Sequence, residues 1–325
     1  MPTLPTPQAI PTCMKRRLLY AASQAYQPQM EVHARSVGWI EPPVVVRREG
    51  MIGHRTIDLA LVGRVTEGVV VAFRGTLPPF FAGDNDGWSV LLDWLNDGMS
   101  LCVESPDYGG GVHMGFAEST RRLWDDGEGT PGVRTAVEAR LAQSRADGRA
   151  RRHLFVTGHS KGGALANLTA YRAARVLEWR DMGVSVATFA AARAGNAAFA
   201  RAYDASRIAC LRYEIPADLV PHLPPGPHTP HWVNVIARGL VPRLAATDYH
   251  PVGLRVSTGE ATHKPWSGTR RRLPRLLGRR GRGLEALVPG VLTAHAICPD
   301  SAYDALVCTG EDCDHGHGAA AALRA

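Results

Sequence analysis

Long hydrophobic runs are missing from this chain of 325 residues. No stretch approaches the roughly 18 consecutive apolar residues that a membrane helix needs. The longest clean apolar run near the start, Leu18 to Ala22, is too short for a secretory h-region, and Pro2, Pro5, Pro7 and Pro11 precede it. No export signal is legible, so a cytoplasmic location is the expectation and secretion the alternative. Cysteine is scarce. Six cysteines do not make a disulfide scaffold in a chain of this length. Three of them are isolated, and Cys298, Cys308 and Cys313 crowd the C-terminal end near His315 and His317. The spacing C-x4-C-x-H-x-H fits no strong zinc pattern, so neither metal nor cofactor is expected. Gly (34) and Pro (23) stay below the level that marks low complexity, which excludes collagen-like and disordered classes.

Acidic residues are absent from 264–282, a segment that holds Lys264 and seven arginines. The formal net charge is +7, so the rest of the chain is close to neutral and the basicity belongs to this one insertion. Trp266, Leu273, Leu276 and Leu277 interleave with the arginines. That mixture suits peripheral contact with an anionic lipid surface, and it equally suits a solvated insertion. Nucleic-acid binding follows from charge alone and is not favoured, since no recognised module accompanies it.

What the chain does contain is alternation. A Pro-rich leader (1–14) gives way to a helical pattern over 15–27, where Leu18, Leu19, Ala22, Ala25 and Tyr26 recur at helical spacing. Strand patterns are expected at 57–63 and 69–73 as a hairpin, then at 154–157, 184–189, 208–215, 232–236 and 252–256. Helical stretches at about 131–144, 162–179 and 196–204 lie between them. Strands alternating with helices predict an α/β fold, with a mostly parallel sheet covered by helices on both faces. No composition break divides residues 15–310, which read as one domain followed by a tail at 311–325.

One pentapeptide carries chemistry. Gly158-His159-Ser160-Lys161-Gly162 is a G-x-S-x-G sequence, preceded by the apolar strand pattern Leu154–Thr157 and followed by a helical pattern rich in small residues. A sharp strand-to-helix turn forces the serine into strained backbone geometry, and residues two before and two after it must be small. The helix start then points backbone N–H groups at any oxyanion formed beside Ser160.

Further segments are in order: VVAFRGT at 70–76, DWLND at 93–97, VHMGF at 112–116, HLFVTGHSKGGAL at 153–165 and YEIPADLVPHLPP at 213–225. With them the chain resembles the fungal-type class 3 lipase family over roughly residues 15–308, most closely over 68–225. The resemblance implies an α/β-hydrolase fold. It also implies a serine carboxylic-ester hydrolase acting on lipid esters, triacylglycerol lipase-like, with phospholipase A1 or a soluble short-chain esterase as alternatives. A non-catalytic scaffold that binds anionic membranes or nucleic acid is the alternative of another class.

In such a site the serine needs a base, and the base needs a buried acid. Asp218 follows the apolar strand pattern 208–215 and matches the family's acid position; Glu214 is the runner-up. Eight histidines follow Asp218. His222 is too close to it in a Pro-rich turn, and His228 and His231 fall in a Pro-rich loop. His250 resembles a strand entry that is not the base. His295 precedes a short helix that Asp300 or Ser301 would cap, with a Tyr a few residues on, which is the family's pattern. His295 is the expected base, with His250 second. The oxyanion hole is expected from the backbone N–H of Lys161 and from Thr76. By the same resemblance a mobile lid spans about 77–92, carrying Phe80, Phe81, Trp88 and Leu91, with a core-packed loop as the plain alternative.

Overall fold

The computed structural model describes residues 10–29, 35–49, 57–76, 101–148, 152–206, 208–231, 233–234, 248–257, 294–297 and 301–307. The expected lid (77–92), the basic insertion (264–282) and the C-terminal tail lie outside the described residues.

A seven-stranded sheet forms the frame, in the order β1-β2-β3-β6-β7-β9-β11. Strands β1 (Val44–Glu49), β2 (Ile57–Val65) and β3 (Gly68–Phe73) form an antiparallel meander. From β3 onward the sheet is parallel, through β6 (His153–His159), β7 (Gly183–Phe189), β9 (Ala209–Tyr213) and β11 (Leu254–Val256). A smaller antiparallel sheet, β10-β8-β5-β4, sits beside it. Its strands are β4 (Cys102–Ser105), β5 (Gly110–His113), β8 (Gly195–Asn196) and β10 (Tyr249–His250).

Side-chain alternation explains why the large sheet is covered on both faces. Successive strand residues point to opposite sides. In β3, Val69, Val71 and Phe73 enter one core while Val70 and Ala72 enter the other; in β6, Leu154 and Val156 divide from Phe155 in the same way. The first core is closed by helices α2 (Met114–Trp124), α3 (Val133–Ala146), α4 (Lys161–Ala173) and α5 (Ala197–Ala205). The second is closed by α1 (Thr12–Gln24) and α6 (Ala302–Val307), through Met14, Leu18, Tyr303 and Leu306. Strands buried on both faces read as near-continuous apolar runs, which is why GVVVAF and HLFVTGH stand out in the sequence.

Three expectations need adjusting. Helix α1 begins at Thr12 and buries Met14, inside what reads as leader. The helical pattern 162–179 divides into α4 and a single 3-10 turn at Leu177–Trp179. Within the strand expected at 232–236, Val233 and Asn234 are helical instead, like His231 before them, and the Asn234 N–H donates to the Pro230 carbonyl at 3.1 Å; residues 232, 235 and 236 lie outside the described residues. Five residues of apolar W-V-N-V-I carry no period long enough to tell strand from helix. No helix among the described residues is long and apolar enough to cross a membrane.

Candidate active site

The parallel strands β3, β6, β7 and β9 end on one edge of the sheet, and the candidate residues lie along it. Open α/β sheets place their sites at that edge. Thr76 follows β3, Ser160 follows β6 and Asp218 follows β9.

Ser160 joins β6 to α4 with φ 59° and ψ −129°, in a left-handed region that side-chain-bearing residues avoid. The strain is held by neighbours. The Ser160 N–H donates to the Phe189 carbonyl at 3.0 Å, and its own carbonyl accepts from Gly163 (3.0 Å) and Ala192 (3.2 Å). The turn leaves no room for a Cβ at two glycines. At Gly158 one would strike the backbone of Gly162; at Gly162 one would strike the Phe73 carbonyl and the Arg74 backbone. Close backbone approach is therefore the reason for glycine at these two positions.

Asp218 is fully buried, and its carboxylate is surrounded by donors. Oδ1 accepts the Val220 N–H at 2.9 Å, Oδ2 accepts the Tyr303 hydroxyl at 2.7 Å, and the ring Nδ1 of His295 lies 2.9 Å from Oδ2 and 3.1 Å from Oδ1. A carboxylate can only accept, so Nδ1 of His295 donates to it, and the tautomer this selects leaves Nε2 as the ring's acceptor. Burial, and then the Asp218 charge, hold the Tyr303 hydroxyl well above its usual pKa, so it stays a donor.

His295 is brought to the elbow by His159, the residue before Ser160. The two rings have centroids 4.4 Å apart, and Nε2 of His159 donates to the His295 carbonyl at 2.7 Å. Burial and the neighbouring His295 press the His159 pKa well below its usual value, so this ring is neutral. Lys161 begins α4. Its ammonium is bound to Asp58 of β2 at 2.7 Å, so the residue that supplies the first N–H beyond the serine is tied down at its far end. Thr76 is half-buried two residues past Arg74, whose N–H donates to the Leu59 carbonyl at 2.9 Å.

The other candidates are engaged elsewhere. Glu214 binds Arg212 and, at 2.8 Å, Arg255. His250 binds Asp248 at 2.9 Å and packs edge-on against His228. His222 is pushed down to about 4, chiefly by burial and then by Arg193. Of the two expected caps of α6, Ser301 accepts the Asp304 N–H at 3.2 Å; Asp300 lies outside the described residues. Sequence reasoning missed Tyr26 and Asp58, whose partners lie more than a hundred residues away.

Comparison with known proteins bears on the fold and on family likeness. Residues 70–228 match the family model of lipase (class 3). This segment is similar to the class 3 lipases, and the chain has the α/β-hydrolase fold. Lipase ZK262.3 of Caenorhabditis elegans is 44% identical over 174 residues, covering 53% of this chain and 42% of that protein. Phospholipase A1 EG1, chloroplastic/mitochondrial, of Oryza sativa subsp. indica is 29% identical over 224 residues, covering 64% and 46% respectively. The chain thus spans less than half the length of these curated relatives. A deletion mutant of the Rhizomucor miehei lipase propeptide complex superimposes with a TM-score of 0.52 at 21% identity, covering 77% of this chain and 68% of that one, which bears on the fold. The class 3 match holds Thr76, Ser160, Lys161 and Asp218; His295 and Tyr303 lie outside it.

Proposed function

We propose that this chain is a serine carboxylic-ester hydrolase acting on lipid esters. The observation that carries the reading is the buried Asp218 bound to Nδ1 of His295, with His295 held against the strained Ser160 turn. In this reading Ser160 Oγ attacks the ester carbonyl, and the bare Nε2 of His295 takes its proton. Asp218 fixes the tautomer and stabilises the cation that forms. The N–H groups of Lys161 and Thr76 receive the developing oxyanion, where donors fixed in advance favour the transition state over the ground state. His295 returns the proton to the leaving alcohol. Water, deprotonated by the same ring, then attacks the acyl-enzyme and releases the fatty acid.

Purified parent should hydrolyse p-nitrophenyl butyrate, and Ser160→Ala should lower kcat by at least about 10³-fold. An alanine variant as fast as the parent would sink the reading and leave the non-catalytic scaffold. Within it, triacylglycerol hydrolysis is the first choice. Phospholipase A1 activity is the second, favoured by the name that the rice relative carries. Acid release from triolein against phosphatidylcholine separates the two. The basic insertion 264–282 is proposed as an accessory contact to anionic lipid: its deletion should abolish binding to phosphatidylserine vesicles and leave turnover of the soluble ester intact.

A further inference from the structure

Helix α1 lies outside the class 3 match, yet it reaches the site in two places. Just past its C-terminal end, the Tyr26 hydroxyl meets Nδ1 of His159 at 2.8 Å. In its last turn, the Ser23 hydroxyl donates to the Ile297 carbonyl at 3.1 Å. The direction of the first contact follows from chemistry. Nε2 of His159 faces the His295 carbonyl, which can only accept, so Nε2 holds the proton. The neutral ring then has a bare Nδ1, and the Tyr26 hydroxyl must donate to it. Burial first of all raises the Tyr26 pKa, which preserves the donor; the backbone N–H of Gly75 reaches the same hydroxyl.

A continuous chain of contacts therefore runs from Gly75, next to Thr76, through Tyr26 and His159 to the main chain of His295. The ring of His295 is fixed at one end by Asp218, and its backbone is fixed at the other by His159. A base must stand within a fraction of an ångström of its productive position, and such precision needs support behind the reacting group. Resting on the ester-hydrolase reading, we infer that Tyr26 and His159 are positioning residues that set where His295 stands relative to Ser160, with Ser23 bracing the same short segment at Ile297. They touch neither substrate nor the transferred proton; they act through His295.

The test combines turnover with a signal that does not depend on it. Tyr26→Phe, His159→Gln and His159→Leu are compared with the parent, with Tyr20→Phe on the outer part of α1 as control. Tyr26→Phe should lower kcat for p-nitrophenyl butyrate about tenfold and leave KM within about twofold, since substrate binding is untouched. His159→Gln keeps an N–H for the His295 carbonyl and should retain clearly more kcat than His159→Leu. Tyr20→Phe should match the parent. In proton spectra of histidine-labelled protein, the low-field resonance of the His295 Nδ1–H shared with Asp218 should move or broaden in Tyr26→Phe and not in Tyr20→Phe. Parent kcat in both Tyr26→Phe and His159→Leu overturns the inference even if melting temperatures fall, because the pair would then be packing only. Loss of kcat with an unmoved resonance overturns it as well. Should His159→Leu fail to fold, Tyr26→Phe and His159→Gln carry the test. Should the parent lack esterase activity, the hydrolase reading fails, and the resonance alone decides the positioning role.

Discussion

Tyr303→Phe isolates the support behind Asp218, the proposed acid. The substitution removes one hydroxyl and keeps a ring that is wholly buried and packed edge-on against Phe189 and His159. Two hydrogen bonds disappear: the 2.7 Å bond to Oδ2 of Asp218 and the 3.4 Å bond from the Ile215 N–H. The first involves a carboxylate in a site without water contact, and bonds to charged groups contribute about 1.5–3 kcal/mol. The second is long and adds a few tenths of a kcal/mol at most, by the same scale. The expected loss is about 2–3 kcal/mol, or roughly 3–5 °C in melting temperature for a domain of this size. Urea melts should show a lower midpoint with the slope unchanged, since the surface exposed on unfolding stays the same. Asp218 keeps its bonds from Val220 and His295, so turnover should fall only about three- to tenfold, while Asp218→Asn, which inverts the favoured tautomer of His295, should lose about 10⁴-fold. A Tyr303→Phe protein within about 0.5 kcal/mol of the parent would refute the reasoning, because a buried carboxylate cannot lose a donor so cheaply.

Three further outcomes follow from the same geometry. Ser160→Gly should be more stable than Ser160→Ala by about 1 kcal/mol in paired melts: relief of positive-φ strain, about 1–3 kcal/mol, outweighs the roughly 0.5–1 kcal/mol of added chain entropy. Asp58→Asn should destabilise by about 3 kcal/mol by leaving Lys161 unpaired, and Asp58→Leu combined with Lys161→Met should recover at least half of that loss in a double-mutant cycle. Acid should destabilise the fold before the carboxylates titrate. Burial holds His113 down to about 3 and His153 to about 4, so the unfolded chain takes up protons that the folded one refuses. Stability is complete above the unfolded value of about 6.5 and drains as pH falls toward the folded values, by up to about 1.4 kcal/mol per pH unit for each ring. His113→Asn should lessen the fall of melting temperature between pH 6.5 and 4, with His153, His159 and His222 keeping the rest, and an unaltered slope would count against it.

The parts of the site legible in the sequence are those built from near neighbours. The Ser160 turn was readable because a strand, two obligatory glycines and a helix follow one another between His153 and Ala173, and each leaves a local pattern. Asp218 was readable because it lies just past an apolar strand and at the position that matches the family's acid. His295 was reached by resemblance: nothing in its own surroundings separates it from seven other late histidines, and only the folded chain shows it on Asp218 while His250 sits on Asp248. The small second sheet was illegible, since two-residue strands such as Gly195–Asn196 and Tyr249–His250 are too short to show alternation. Tyr26 was seen as one apolar position of a helix. Its hydroxyl has meaning only once His159, 133 residues later, lies beside it.

The same distinction bears on what the class 3 match can convey. The matched segment brings Ser160, Asp218 and the expected oxyanion donors Lys161 and Thr76 to one sheet edge through strand order, so these positions follow from the fold itself. His295, the proposed base, comes from a segment outside the match, and no strand register fixes it. Its position rests on side-chain bonds from Asp218 after β9 and His159 at the end of β6, while Ser23 of α1 holds the same short segment at the Ile297 carbonyl. A hydrogen bond is worth little net in water but much where its partners would otherwise be buried unpaired. Activity should therefore be more sensitive than stability to changes on α1, because loosening His295 by a fraction of an ångström costs turnover while most of the core stays packed. Substitutions across the Tyr26–His159 contact should separate the two quantities, whereas core substitutions such as Leu18→Ala on the same helix should lower stability first and turnover only with it.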